Sequence, residues 1–134
     1  MRETVNPSKR IREMAADVIK EHEDLQWIET SGIRICYMES DKEKKSKGQY
    51  IYGECIVVKD LYRWFCPFDF LIVLYRPNIA YMTKDQKKIL LYHELLHVDM
   101  SEKDGEPIYH AAPHDVEEFD QIIKEYGLHW EKGR

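Results

Sequence analysis

Apolar residues recur every three or four positions at Ile11, Met14, Ala15, Val18 and Ile19, which predicts a helix ending before Trp27. Asn6-Pro7-Ser8 supplies an entry, with Asn6 as cap and Pro7 at the first helical position. His22 falls at the margin of this stripe and reads as an edge or surface residue rather than a ligand. The pattern then changes. Residues 33–38 alternate as a strand after a turn at Ser31-Gly32. Residues 50–58 and 68–75 are two further strands, the second nearly continuous in apolar side chains. Between the first two, the charged run 41–48 reads as an exposed hairpin loop. The cluster Leu61-Tyr62-Arg63-Trp64-Phe65 reads as core, because a base-stacking platform would interleave more basic residues.

Thr83-x-x-Gln86 matches a capping box and opens a second helix. Ile89, Leu90, Tyr92, Leu95, Leu96 and Val98 make that helix apolar over much of its circumference, so it is expected to be buried. Residues 99–113 read as a polar loop carrying Gly105, Pro107 and Pro113. A last amphipathic helix is expected over about 114–126, with Asp115-x-x-Glu118 as a capping box and Gly127 as its stop. No internal repeat or linker interrupts this order. The expectation is one α+β domain over 1–134: an N-terminal helix, a short antiparallel sheet of about three strands, a buried helix and a C-terminal helix.

Composition narrows the function classes. Twenty Lys and Arg against 25 Asp and Glu give a net charge of -5, which argues against general nucleic-acid binding. No run of about eighteen apolar residues is present, so no transmembrane helix and no membrane partner is expected. The N-terminus lacks a signal-peptide core. Cys36, Cys55 and Cys66 are odd in number and lack C-x-x-C spacing, so a cytoplasmic setting with buried, unpaired thiols is expected.

The chemistry concentrates in His93-Glu94-Leu95-Leu96-His97, an H-E-x-x-H pattern within the second helix. Residues four apart share a helix face, so His93 and His97 can address one metal ion while Glu94 stands beside it as a general base. The alternative is that both are ordinary helix histidines. Against that, Glu94 sits amid apolar residues, where an unpaired carboxylate is costly without a chemical use. A catalytic zinc takes three protein ligands and leaves one position open. Met100 stands where the long zincin signature needs Gly, so the third ligand must come from elsewhere. His114, at the head of the last helix and fixed between Pro113 and Asp115, is the best candidate; Glu117, Glu118 and His110 are the others.

The motif His93-Glu94-Leu95-Leu96-His97, together with His114-Asp115-Val116-Glu117-Glu118-Phe119 and the strand 68–75, resembles a phage-type metallopeptidase family. The resemblance covers about 50–127 and extends more loosely to the first helix. It implies a small zincin-like, zinc-dependent peptidase domain, distantly similar to SprT-like proteases. Carried onto this chain, it implies His93, His97 and His114 as zinc ligands and Glu94 as catalytic acid and base. SprT-like proteins place Gly after the third histidine, whereas Asp115 follows here, and no zinc-ribbon spacing occurs. Both departures weaken the transfer of DNA–protein crosslink repair to this chain.

The expected activity is hydrolysis of peptide bonds in a peptide or protein substrate, with Zn2+ as cofactor. An open sheet edge at about 70–75 would align an extended substrate. Two other readings fit the same residues: a catalytically silent zinc-binding interaction module, and a metal-dependent hydrolase of a non-peptide amide. An intact Glu94 favours an enzyme, since a structural zinc has no use for a base.

Overall fold

The computed structural model describes residues 5–111. Strand β1 (Val5–Pro7) leads into helix α1 (Lys9–Glu21), a 3-10 turn (Glu23–Leu25) and the short helix α2 (Gln26–Ser31). Strand β2 (Ile35–Ser40) is followed by the small hairpin β3 (Lys45–Ser46) and β4 (Gln49–Tyr50), then by β5 (Gly53–Val57). A second 3-10 turn (Asp60–Tyr62) precedes β6 (Phe70–Tyr75). Helices α3 (Arg76–Ile79) and α4 (Lys84–Leu95) come next, then β7 (Val98–Lys103) and β8 (Glu106–Ala111).

The main sheet has four strands in the order β1-β2-β6-β5 and is mixed rather than antiparallel. β6 runs parallel to β2 and antiparallel to β5, while β1 is antiparallel to β2. The near-continuous apolar run of β6 explains its place, because a strand covered on both faces has no polar side to show. Phe70, Ile72 and Leu74 are fully buried on one face, and Val73 is 5% exposed on the other. The expected open edge at 70–75 is therefore corrected: β6 is interior, and the open edges are β1 and β5. β1 contains Pro7, which an edge strand accommodates.

Two helices cover one face of this sheet. Ile11, Met14, Ala15, Val18 and Ile19 of α1 form one buried cluster with Leu90, Leu91 and Leu95 of α4 and with Phe70, Ile72 and Leu74. The cap of α1 is Ser8, whose hydroxyl accepts from the Ile11 N–H at 3.1 Å. Asn6 and Pro7 belong instead to β1, drawn there by pairing with Glu39 and Met38. His22 has a packing role: its ring stacks on Tyr92 with centroids 3.9 Å apart. The Tyr92 hydroxyl donates to Asp24 at 2.9 Å, and Lys88 reaches Glu21 at 2.8 Å, so α4 is tied to the end of α1. The capping box of α4 forms as expected: the Gln86 N–H donates to the Thr83 hydroxyl at 3.2 Å, and the Thr83 N–H to the Gln86 side chain at 2.8 Å.

Three expectations change. The cluster 61–65 is not core: Leu61, Trp64 and Phe65 are 72%, 84% and 59% exposed. Arg63 turns inward instead, donating to Asp69 at 2.6 Å, while the other oxygen of Asp69 accepts the Arg34 N–H at 2.8 Å. Asp69 is itself buried, so a cation has to reach it and the neighbouring rings are left outside. Residues 99–111 are not a loop but belong to the β7–β8 hairpin, turned at Asp104-Gly105 with φ of 54° and 80°. Both turn residues are left-handed, as a two-residue hairpin turn requires. Cys36, Cys55 and Cys66 are half-buried free thiols rather than fully buried ones.

The expected helix over 114–126 and its capping box lie outside the described residues. Among the described residues no helix is long and apolar enough to cross a membrane. Removing the cap of α4 with Thr83→Ala is expected to cost about 1 kcal/mol of unfolding free energy, whereas Leu90→Ala costs about 2–5 kcal/mol. Urea denaturation of both variants beside the wild type checks the ranking; equal losses would contradict it.

Candidate metal centre

α4 carries the motif at its C-terminal end. His93 and Glu94 are in its last turn, Leu96 is the C-cap, and His97 stands one residue past it. The Leu96 N–H bonds to Tyr92 O at 3.0 Å and the His97 N–H to Glu94 O at 3.1 Å, which tightens the final turn. The helix thus stops between Glu94 and His97, short of the expected span. The two imidazoles still meet on one side, with ring centroids 5.2 Å apart and planes at 75°. Two imidazoles bound about 2.0–2.1 Å from a tetrahedral zinc have centroids roughly 5 Å apart, so the observed pair fits the metal.

Glu94 is 3% exposed and His97 is 5% exposed. Both line a cavity of about 350 Å³ whose opposite wall is β5, with Gly53 and Cys55 among its residues. The Glu94 carboxylate lies over Gly53: a Cβ placed there would stand 3.4 Å from Oε2, and only 2.8 Å from Leu74 Cδ2. Burial first, and the charge of Glu54 second, push the Glu94 pKa from 4.5 up to about 8. In the metal-free protein this carboxyl therefore keeps its proton near neutrality, and a cation beside it would favour the ionised form. Cys55 shares the cavity, and burial pushes its thiol up to about 12, so it stays protonated in the metal-free protein.

His110 stands on β8 opposite Asp99, with Nδ1 3.5 Å from its carboxylate. His114, Glu117 and Glu118 lie outside the described residues. Among the described residues no group of three or more His, Cys, Asp or Glu is placed to hold a metal ion. His93 and His97 are brought together, Glu94 is set beside them, and the described residues do not complete the ligand set. Sequence reasoning missed the contribution of β5, because nothing local to Gly53 or Cys55 signals a strand packed against the motif forty residues downstream.

The family described as "Putative phage metallopeptidase" matches residues 3–133. The chain belongs to this family. The family description points to a metal-dependent peptidase. Comparison with curated proteins and with solved structures gave no match.

The burial of Glu94 has a measurable consequence in this metallopeptidase family member. Its folded pKa is raised, so the folded state holds the proton more tightly than the unfolded chain. The associated stability is complete below about pH 4.5 and is lost as pH rises through about 8. Metal-free protein is expected to lose about 1.4 kcal/mol per pH unit across that window from this group. Glu94→Gln is expected to flatten the slope, as read by denaturation at pH 5, 6, 7 and 8. An unchanged slope would show that the carboxylate is not buried as described.

Proposed function

We propose that the protein is a zinc-dependent metallopeptidase with a zincin-like site, His93, His97 and His114 as ligands, and Glu94 as general base. The observation that carries this reading is the pairing of the two imidazoles at 5.2 Å beside the buried carboxylate of Glu94. Membership of the family adds support for the reaction class. His114 is proposed from the resemblance and from its place in the sequence; it would complete the three-protein-ligand set that a catalytic zinc takes.

When bound, zinc supplies a Lewis acid for the scissile carbonyl and lowers the pKa of water. Glu94 accepts the proton of the attacking water and delivers it to the leaving amine, so no proton is lost from the site during turnover. Its neighbours fix where this happens. Leu91 and Leu95 are buried on the same helix, and Gly53 leaves room for the carboxylate at β5. Glu94 and His97 are themselves buried, which strengthens charge interactions at their polar atoms.

Metal analysis beside a peptide-library assay tests the roles. Glu94→Gln is expected to keep zinc and to lose at least about a hundredfold in kcat/KM. His114→Ala is expected to lose zinc affinity, whereas Cys55→Ser keeps it. Full activity in Glu94→Gln would refute the mechanism, and unchanged zinc in His114→Ala would refute the ligand. Loss of zinc in Cys55→Ser would instead favour a structural site.

A further inference from the structure

The turn that follows β5 holds its arginine inward and its rings outward. The Tyr62 N–H donates to Lys59 O at 2.9 Å, and the Arg63 N–H to Asp60 O at 3.1 Å. The Phe65 and Cys66 N–H groups both donate to Tyr62 O, at 3.2 and 2.9 Å, so residues 59–66 are tightly wound. Arg63 fastens this turn to the body of the molecule. Its guanidinium donates to the buried Asp69 and lies over the Tyr109 ring, 5.0 Å from the centroid, and Tyr109 packs in turn on Phe70. The rings beside Arg63 in sequence stand in water while their backbone is held.

Those rings form one surface. Phe65 packs edge-on against Trp64 at 4.8 Å and against Tyr62 at 5.8 Å between centroids. Tyr62 is 46% exposed, Phe65 and Trp64 are more so, and Leu61 on the same turn is largely in solvent. An aromatic side chain can bury about 150–250 Å², so these three leave roughly 300–450 Å² of ring surface open to water. A standard interface takes about 800 Å² from each partner, and the apolar share in homodimers is about 65%, which calls for roughly 500 Å². The three rings with Leu61 come close to that area. Lys59 and Asp60 precede them, adjacent in sequence, opposite in charge and both exposed.

We propose that the turn 59–65 is a dimer interface, in which Tyr62, Trp64 and Phe65 pack on the same rings of a second copy of this chain. A two-fold axis sets one patch against itself, so Lys59 of one protomer meets Asp60 of its partner and the reverse. Neighbouring charges of opposite sign are self-complementary under that operation, whereas a single sign would repel. Mixed charge on the turn and a net charge of -5 suit a phosphate backbone or an anionic lipid surface poorly. The fastened turn has little freedom left to lose on docking, which favours association. This inference goes beyond the peptidase reading and needs neither metal nor substrate.

Sedimentation equilibrium of the full chain over a wide range of concentration tests the assignment, and the mass is expected to rise from one chain to two. Trp64→Ser combined with Phe65→Ser is expected to weaken the dimer at least about tenfold while the urea midpoint stays unchanged. Lys59→Glu and Asp60→Lys, each alone, are expected to run as single chains, because like charges then face one another. An equimolar mixture of those two variants restores opposite charges at both contacts and is expected to regain the two-chain mass. A wild type that stays one chain throughout would overturn the proposal, and binding of that single chain to phosphatidylcholine vesicles would give the rings to a lipid surface instead. A dimer that survives the ring substitutions, or a mixture of the charge variants that stays at one chain, would overturn the two-fold placement.

Discussion

The burial of α4 against β6 is the contact on which the rest of the molecule depends. Leu90, Leu91 and Leu95 share one buried cluster with the fully buried Phe70, Ile72 and Leu74. Burying a leucine side chain is worth about 1.5–3 kcal/mol, so the last turns of α4 cannot rotate cheaply. Glu94 lies on the same helix as the buried Leu91 and Leu95 and is itself only 3% exposed. Its ionised form is penalised, and the pKa rises. An apolar contact thus sets the acid–base character of the one carboxylate in the motif.

The two walls of the cavity are fixed by separate devices. On the helix side, the His22 ring stacked on Tyr92 and the Tyr92–Asp24 bond join α4 to the end of α1. On the strand side, Lys44 donates to both oxygens of Glu54 at 2.8 and 2.9 Å, and the Tyr75 hydroxyl donates to one of them. The Asn78 amide also donates to the carbonyls of Lys44 and Ile51, at 2.8 and 2.7 Å. Partly exposed ion pairs are individually weak. The Asn78 bonds, made to main chain, are what hold the run into β5 in register.

The sequence was most legible where one physical signal acted alone. The stripe of α1, the Thr83–Gln86 cap and the apolar run of β6 each followed from local pattern. Strand order did not, because alternation sets which face a residue takes and says nothing about its neighbour. Residues 61–65 misled because apolar content was weighed without Asp69, whose buried carboxylate draws Arg63 inward and leaves the rings outside. In 99–111, polarity outweighed the Asp104-Gly105 turn signal that was present. At the site, the neighbourhood of His93, Glu94 and His97 was readable from spacing, whereas the part played by β5 came from distant chain. His114 lies outside the described residues, and its role remains a proposal.

The end of α4 between Glu94 and His97 divides the histidine pair between two mechanical units. His93 belongs to a helix clamped by the core, whereas His97 leads into a hairpin whose strands are largely exposed beyond Val98. Such a hairpin opens at lower free energy than a core helix. An ion held by both rings would act as a staple between them, so its binding energy would be spent on ordering β7 and β8. Metal uptake and ordering of the hairpin would then be coupled.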